Sequence, residues 1–88
     1  MATVFIPPQM RDLTGGCSQV EVEAGSFRKV VQQLDEAFPG LGVRIVDGDR
    51  LVSGLAVSVD GVVSSFGLLT KVGAESEVHI VAAIGGGV

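Results

Sequence analysis

Alternating apolar and polar residues mark two strands in the first quarter of the chain. Residues 3–7 place Val4 and Ile6 on one face and Phe5 on the other, and two prolines follow. Proline lacks the amide that a sheet ladder needs, so it ends this strand. After a Thr-Gly-Gly loop, residues 20–23 alternate Val with Glu, which is typical of a half-exposed strand. We expect the second strand to pair with the first.

The next segment, residues 26–38, has the pattern of an amphipathic helix with Ser26 as its N-cap. Its apolar residues recur at helical spacing and form one stripe: Phe27, Val30, Val31, Leu34 and Phe38. Pro39-Gly40 ends the helix. Basic residues lie near its start and acidic ones near its end, which opposes the helix dipole. The helix should therefore depend on packing its stripe against a sheet.

The middle of the chain combines turn residues with short apolar runs. Residues 43–55 are polar and turn-rich around an Asp-Gly-Asp sequence, and we interpret them as a loop. Residues 56–59 and 62–64 flank Asp60-Gly61, which is a strong signal for a two-residue β-hairpin turn.

The remaining residues complete the predicted order of elements. Residues 66–69 should form a turn or a short 3₁₀ segment, and residues 77–83 form the last strand. With no repeat or linker, we expect one domain spanning 1–88. Two strands, a helix, two short strands and a closing strand indicate an α+β fold of the β-grasp type, a mixed sheet with one main helix packed across it.

Composition narrows the functional classes. The 88 residues are 47% apolar, which argues against disorder, and their formal net charge is −4. The six basic residues are scattered, so we expect no nucleic-acid partner. The longest apolar run, residues 80–84, is far shorter than the ~20 residues of a membrane span. We therefore expect no membrane partner.

Two further features concern the compartment. The first residues lack the basic start and apolar core of a signal peptide. Cys17 is the only cysteine, so no internal disulfide can form. We expect a cytoplasmic protein.

The sequence closes on Ile84-Gly85-Gly86-Gly87-Val88, directly after the last predicted strand. Glycines leave the backbone unobstructed and conformationally free, so we expect a flexible tail over residues 85–88 that can enter a narrow active site. The alternative is that these residues are simply a frayed end.

The order of elements and three segments resemble the ubiquitin-like sulfur carriers, such as the small subunit of molybdopterin synthase (MoaD) and the thiamin carrier (ThiS). The segments are residues 6–16, the helix at 26–38 and the strand with its glycines at 77–87. The first segment is most similar to the mycobacterial-type, CysO-like carriers of cysteine biosynthesis, whose opening also ends in Thr-Gly-Gly.

This resemblance implies a chemistry and a set of partners. An E1-like enzyme would use ATP to adenylate the diglycine carboxylate, and sulfur would replace the adenylate to give a thiocarboxylate. Gly86 and Gly87 would be the functional pair, with Gly85 giving access. The sulfur would go to a pyridoxal-phosphate-dependent cysteine synthase, while molybdopterin and thiamin synthesis remain open. The chain itself would bind no cofactor and would not be an enzyme.

Val88 departs from the family, whose mature members end at the second glycine. A JAMM-type metalloprotease would have to remove Val88, as happens to some ubiquitin-like proteins. Alternatively, Val88 marks a relative of the family that no longer carries sulfur.

Alternation also predicts a docking patch beside the tail. Because Val78 and Ile80 should face the helix, His79 and Val81 turn outward, with Phe5 on the neighbouring strand. Together with Ile84, these residues would form a docking surface for a partner protein. The alternative is that they are apolar residues scattered on the surface without a binding role. We expect no metal at His79, since no second ligand type clusters with it. Cys17 is interpreted as an incidental thiol, and 47–49 as a turn.

Two other functional classes remain. A ubiquitin-like interaction module with an inert tail would dock partners but carry no sulfur. A free-standing enzyme is disfavoured because the sequence has neither a carboxylate pair nor a Cys/His constellation.

Overall fold

The computed structural model describes residues 1–82 and contains a five-stranded mixed sheet, ordered β2-β1-β9-β6-β7. Its strands are β1 (Ala2–Phe5), β2 (Gln19–Val22), β6 (Leu55–Val59), β7 (Val62–Val63) and β9 (Glu77–Ala82). Two short antiparallel pairs lie outside it, β3 (Gly25–Ser26) with β8 (Lys71–Val72) and β4 (Val46–Asp47) with β5 (Arg50–Leu51). The helices are α1 (Phe27–Ala37) and α2 (Leu41–Ile45).

The first and last strands lie side by side at the centre of the sheet. β1 runs antiparallel to β2, as expected for the first two strands, and parallel to the closing strand β9. β9 also pairs antiparallel with β6 along five residues. Within the described residues the predicted strands are confirmed in type and in approximate place. β1 begins one residue earlier than predicted and ends at Phe5, two residues before Pro7.

The predicted main helix is confirmed. The Lys29 amide donates to the Ser26 side-chain oxygen over 3.3 Å, so Ser26 is the N-cap. The stripe is buried at Phe27, Val30, Val31 and Leu34, while Phe38 is half-buried at the C-cap. The first turn has no acidic residue and the last turn no basic one. Burial of the stripe therefore stabilises α1 rather than its end charges.

The prediction of a loop over residues 43–55 is wrong. The segment begins inside α2 and continues into the β4–β5 hairpin. Leu41 and Ile45, four positions apart, are both fully buried. The Asp35 carboxylate accepts hydrogen bonds from the amides of Gly40 and Gly42, at 3.2 and 2.9 Å. A contact from the preceding helix thus supports a helix too short to be stable alone.

The hairpin and the short helical segment are found as expected. Asp60 and Gly61 both have positive φ, 53° and 86°, and connect β6 to β7. This is the backbone of a type I′ turn, which Asp-Gly favours. Residues Gly67–Leu69 form a 3₁₀ turn. The pairing of β3 with β8, which ties the start of α1 to the segment before β9, was not predicted.

One face of the sheet packs against α1 and α2. The core between them contains mainly aliphatic side chains: Ala2, Val4, Ile6, Met10, Val22, Phe27, Val30, Val31, Leu34, Leu41, Ile45, Val57, Leu68, Val72, Val78 and Ile80. Within the described residues, every buried side-chain nitrogen and oxygen has a hydrogen-bond partner. No helix of residues 1–82 is long and apolar enough to cross a membrane.

Candidate functional site

The closing strand places the predicted docking residues as the alternation required. Val78 and Ile80 are buried against the core, whereas His79 and Val81 lie on the opposite side of the sheet and are half-buried. Val81 pairs with Ala56 of β6. We call this side, turned away from α1, the outer face.

Phe5 and His79 form an aromatic pair at the centre of the outer face. The parallel register of β1 and β9 sets the two residues side by side. Their ring centroids are 4.4 Å apart and their planes differ by 3°. Aromatic pairs of this kind contribute about 0.5–1.5 kcal/mol beyond burial alone. The pair gives the face a preformed apolar centre that still reaches solvent.

A row of paired residues extends from this centre across all five strands. Gln19 lies beside Phe5, Ser58 beside His79, and Val63 beside Ser58. Ser58 and Val63 were not predicted as part of the site. The Asp-Gly turn was the signal that could have found them, because a two-residue hairpin pairs the residues on either side of it in a fixed register.

The neighbouring row of the outer face is acidic. Thr3 pairs with Glu21 on one side and with Glu77 on the other, and both carboxylates are exposed. Asp60 follows at the adjacent hairpin turn and is also exposed. A partner surface that covers the outer face would be matched best by basic residues along this edge.

No family model matches the chain, and no curated protein matches it by sequence. A chain of the BexX/CysO complex from Amycolatopsis orientalis superimposes with a TM-score of 0.89 at 26% identity, covering 98% of this chain and 99% of that one. CysO of Mycobacterium tuberculosis gives 0.85 at 26% identity, over 96% of this chain and 100% of that one.

The chain has the ubiquitin-like β-grasp fold. Its structural neighbours are ubiquitin-like sulfur carriers of the MoaD/ThiS type, as the resemblance predicted. SAMP1 of Haloferax volcanii, at 18% identity, a TM-score of 0.70 and 97% coverage of both chains, shares the fold. The two CysO neighbours support a sulfur-carrier role for this ubiquitin-like chain.

Residues 1–82 contain no group of three or more His, Cys, Asp or Glu side chains that could hold a metal ion. Asp47-Gly48-Asp49 is the turn between β4 and β5, with Gly48 in the left-handed region. Cys17 is an exposed free thiol, and its carbonyl accepts a hydrogen bond from the Thr14 hydroxyl at 2.8 Å.

The tail predictions fall on residues that the structure does not describe. Ile84, Gly85, Gly86, Gly87 and Val88 all lie outside 1–82, so their carrier and docking roles stay predictions. The last described pairing joins Ala82 of β9 to Leu55 of β6. The described residues therefore end in the central strand of the sheet, next to Val81 of the outer face.

Proposed function

We propose that this protein is a sulfur carrier whose C-terminal diglycine, Gly86-Gly87, is converted to a thiocarboxylate. The observation that carries the proposal is the match to the BexX/CysO structure over 98% of the chain at a TM-score of 0.89. The sequence supports it as well, because one residue, Ala83, separates the central strand β9 from Ile84 and three glycines.

The chemistry requires a free carboxylate at Gly87, so removal of Val88 precedes it. The Gly87 carboxylate then attacks the α-phosphorus of ATP on an E1-like enzyme and releases pyrophosphate. A sulfur nucleophile at the oxidation level of sulfide attacks the acyl carbon, expels AMP and leaves the thiocarboxylate. The carrier supplies an unobstructed backbone for these steps, and the partner positions it.

The outer face is the proposed docking surface for these partners. It combines the stacked rings of Phe5 and His79 with Val81 and an acidic edge. Exposed apolar centres with a polar rim are typical of protein interfaces. The BexX/CysO complex shows that a protein of this type associates with another protein.

The destination of the sulfur is cysteine biosynthesis in this proposal. Two neighbours are CysO structures, and the opening segment of the sequence resembles the same carriers. The acceptor would be a pyridoxal-phosphate-dependent synthase in the cytoplasm, and a JAMM-type metalloprotease would remove Val88. Pyridoxal phosphate and ATP would belong to the partner enzymes.

Reconstitution with intact-mass detection tests the proposal. The full chain and a chain ending at Gly87 would each be incubated with the E1-like enzyme of a CysO-type pathway, ATP and sulfide. Only the chain ending at Gly87 should gain the mass of an oxygen-for-sulfur exchange. The matched control is Val43→Ala, at an exposed position on α2, in the chain ending at Gly87.

Two results would contradict this proposal. Thiocarboxylate formation at Val88 would remove the need for trimming. Failure of both chains to react, with the CysO of that pathway reacting in parallel, would favour an interaction module with an inert tail. That second function is favoured by one observation: Phe5, His79 and Val81 of the outer face are held by the pairing of β1, β9 and β6, which involves none of the glycines 85–87. Deletion of residues 86–88 would leave a module's partner binding unchanged.

A further inference from the structure

Four large apolar side chains are exposed together in the segment from β7 to the 3₁₀ turn. Val62, Val63, Phe66 and Leu69 expose 69%, 62%, 71% and 76% of their surface. Single exposed apolar residues are ordinary, but a contiguous group is characteristic of an interaction site.

The backbone holds these side chains outward in a fixed arrangement. The Phe66 amide donates to the Ser64 hydroxyl at 3.1 Å, and the Thr70 hydroxyl lies 2.6 Å from the carbonyl oxygen of Gly67. Leu68, between Phe66 and Leu69 along the turn, is buried in the core. The burial of Leu68 sets the orientation of the turn, which leaves Phe66 and Leu69 exposed.

Basic side chains flank the exposed residues on both sides. A depression of about 500 Å³ contains Val62, Val63 and Lys71, and a second of about 410 Å³ contains Arg28 and Arg50. Phe66 and Leu69 line both depressions. Arg28, Arg50 and Lys71 are three of the six basic residues of a chain whose net charge is −4.

One acidic residue, Asp49, shares the second depression. Its carboxylate lies 3.7 Å from the Arg28 guanidinium, and it is fully exposed. An exposed pair of this kind is weak and screened by salt. Arg50 and Lys71 have no ion-pair partner among the described residues, so the local charge remains positive.

We propose that this basic apolar patch, defined by Val62, Val63, Phe66, Leu69, Arg28, Arg50 and Lys71, binds an acidic segment of a partner protein through a large apolar side chain. The apolar anchor would pack on Phe66 and Leu69 while flanking carboxylates meet Arg50 and Lys71. The patch goes beyond the proposed carrier chemistry, because it requires nothing of the glycines.

The patch differs in charge from the outer face, which it meets at the edge strand β7. Val63 pairs with Ser58 and ends the outer-face row that contains Phe5 and His79, whereas Val62 pairs with Val59 on the other side of the sheet. The acidic row of the outer face, Glu21, Glu77 and Asp60, runs from the opposite edge strand β2 to the hairpin turn before β7. A basic partner surface that matches the acidic row is therefore repelled by the basic patch. The two surfaces thus favour partners of opposite charge.

The test is an NMR titration of the full-length ¹⁵N-labelled chain with a synthetic peptide. The probe is a decapeptide of Glu and Asp with a central Phe-Leu; the matched control peptide has Lys at every acidic position. We expect amide shifts centred on residues 62–71 with the acidic peptide alone. Both Arg50→Glu and the double variant Phe66→Ser, Leu69→Ser should raise its Kd by about tenfold or more. Val43→Ser, exposed elsewhere on α2, should leave it unchanged.

Several outcomes would overturn the proposal. Equal binding of the Lys peptide would show that charge does not select the occupant, and shifts centred on Phe5 and His79 would assign the peptide to the other surface. Shifts at the patch that depend on protein concentration without peptide would identify a second copy as the occupant. Should the double variant unfold, Arg50→Glu still decides. A chain ending at Ile84 should bind the acidic peptide as before, so this result is separate from the fate of the carrier proposal.

Discussion

Asp60 and Glu77 bind each other twice. The Asp60 amide donates to the Glu77 carbonyl at 2.9 Å, and the Glu77 amide donates to the Asp60 carboxylate, also at 2.9 Å. The second oxygen of that carboxylate accepts from the Ser76 hydroxyl at 3.0 Å. The hairpin turn thus fixes the start of β9, the strand that carries His79 and Val81.

Asp60→Ala should therefore destabilise the fold although the side chain is exposed. It removes both carboxylate hydrogen bonds and places alanine at φ 53°, for an expected loss of about 2–3 kcal/mol in the free energy of unfolding. Asp60→Asn, which tolerates this conformation and keeps one oxygen, should lose about 1 kcal/mol. Urea denaturation measures both. Equal losses would show that the intact carboxylate, which both variants lack, determines the effect, and that tolerance of the positive φ does not.

Phe5→Asp should disrupt docking without unfolding the protein. The substitution removes the ring that stacks on His79 and adds a third carboxylate near Glu21 and Glu77. We expect the Kd for the E1-like enzyme of a CysO-type pathway to rise by about tenfold or more, as for loss of a central interface residue.

Calorimetric titration measures that affinity, and circular dichroism verifies the fold. Val43→Asp adds the same charge at an exposed position on α2 and serves as the control. If Phe5→Asp and Val43→Asp bind alike, the outer face is not the docking surface.

Leu34→Ala should be strongly destabilising. Leu34 is fully buried in the helix stripe, and truncation of such a side chain costs about 2–5 kcal/mol because a cavity remains. In a domain of this size each kcal/mol lowers the melting temperature by roughly 4–8 °C. Thermal unfolding measures the loss. Val43→Ala on α2 should change stability by less than about 0.5 kcal/mol, and a similar loss in both variants would refute the assignment of the core.

Ser26→Ala should cost about 1 kcal/mol by removing the N-cap of α1. Ser26→Asp keeps an acceptor and adds a charge that favours the start of a helix, where the first turn has no acidic residue. We expect Ser26→Asp to equal or exceed the wild type in urea denaturation. A loss as large as that of the alanine variant would mean that the side-chain acceptor does not stabilise α1.

The elements found from the sequence are those whose signals are local. The apolar residues of the stripe from Phe27 to Phe38 recur every three or four positions, and the cap, Ser26, directly precedes the first of them. The Asp60-Gly61 turn needs only two residues with positive φ, and alternation alone assigns Val78 and Ile80 to the core and His79 and Val81 to the outer face. The order of these elements indicated the β-grasp fold, and it also contributed to the resemblance to ubiquitin-like carriers.

Other features arise from residues far apart in the chain. The helix α2 depends on Asp35, and the β3–β8 pair joins segments separated by the whole middle of the sequence. The 3₁₀ turn was predicted, but its basic surroundings were not, because Arg28 and Arg50 approach it from α1 and β5. Residue spacing contains no information on such neighbours.

The sequence by itself determined which side of each main element is apolar, since periods of two and 3.6 residues follow from backbone geometry alone. It also determined the closing run of glycines. Tertiary structure decided which side chains meet. Phe5 stacks on His79 because β9 inserts beside β1 in one parallel register, and that register depends on the burial of the whole core face rather than on any local signal.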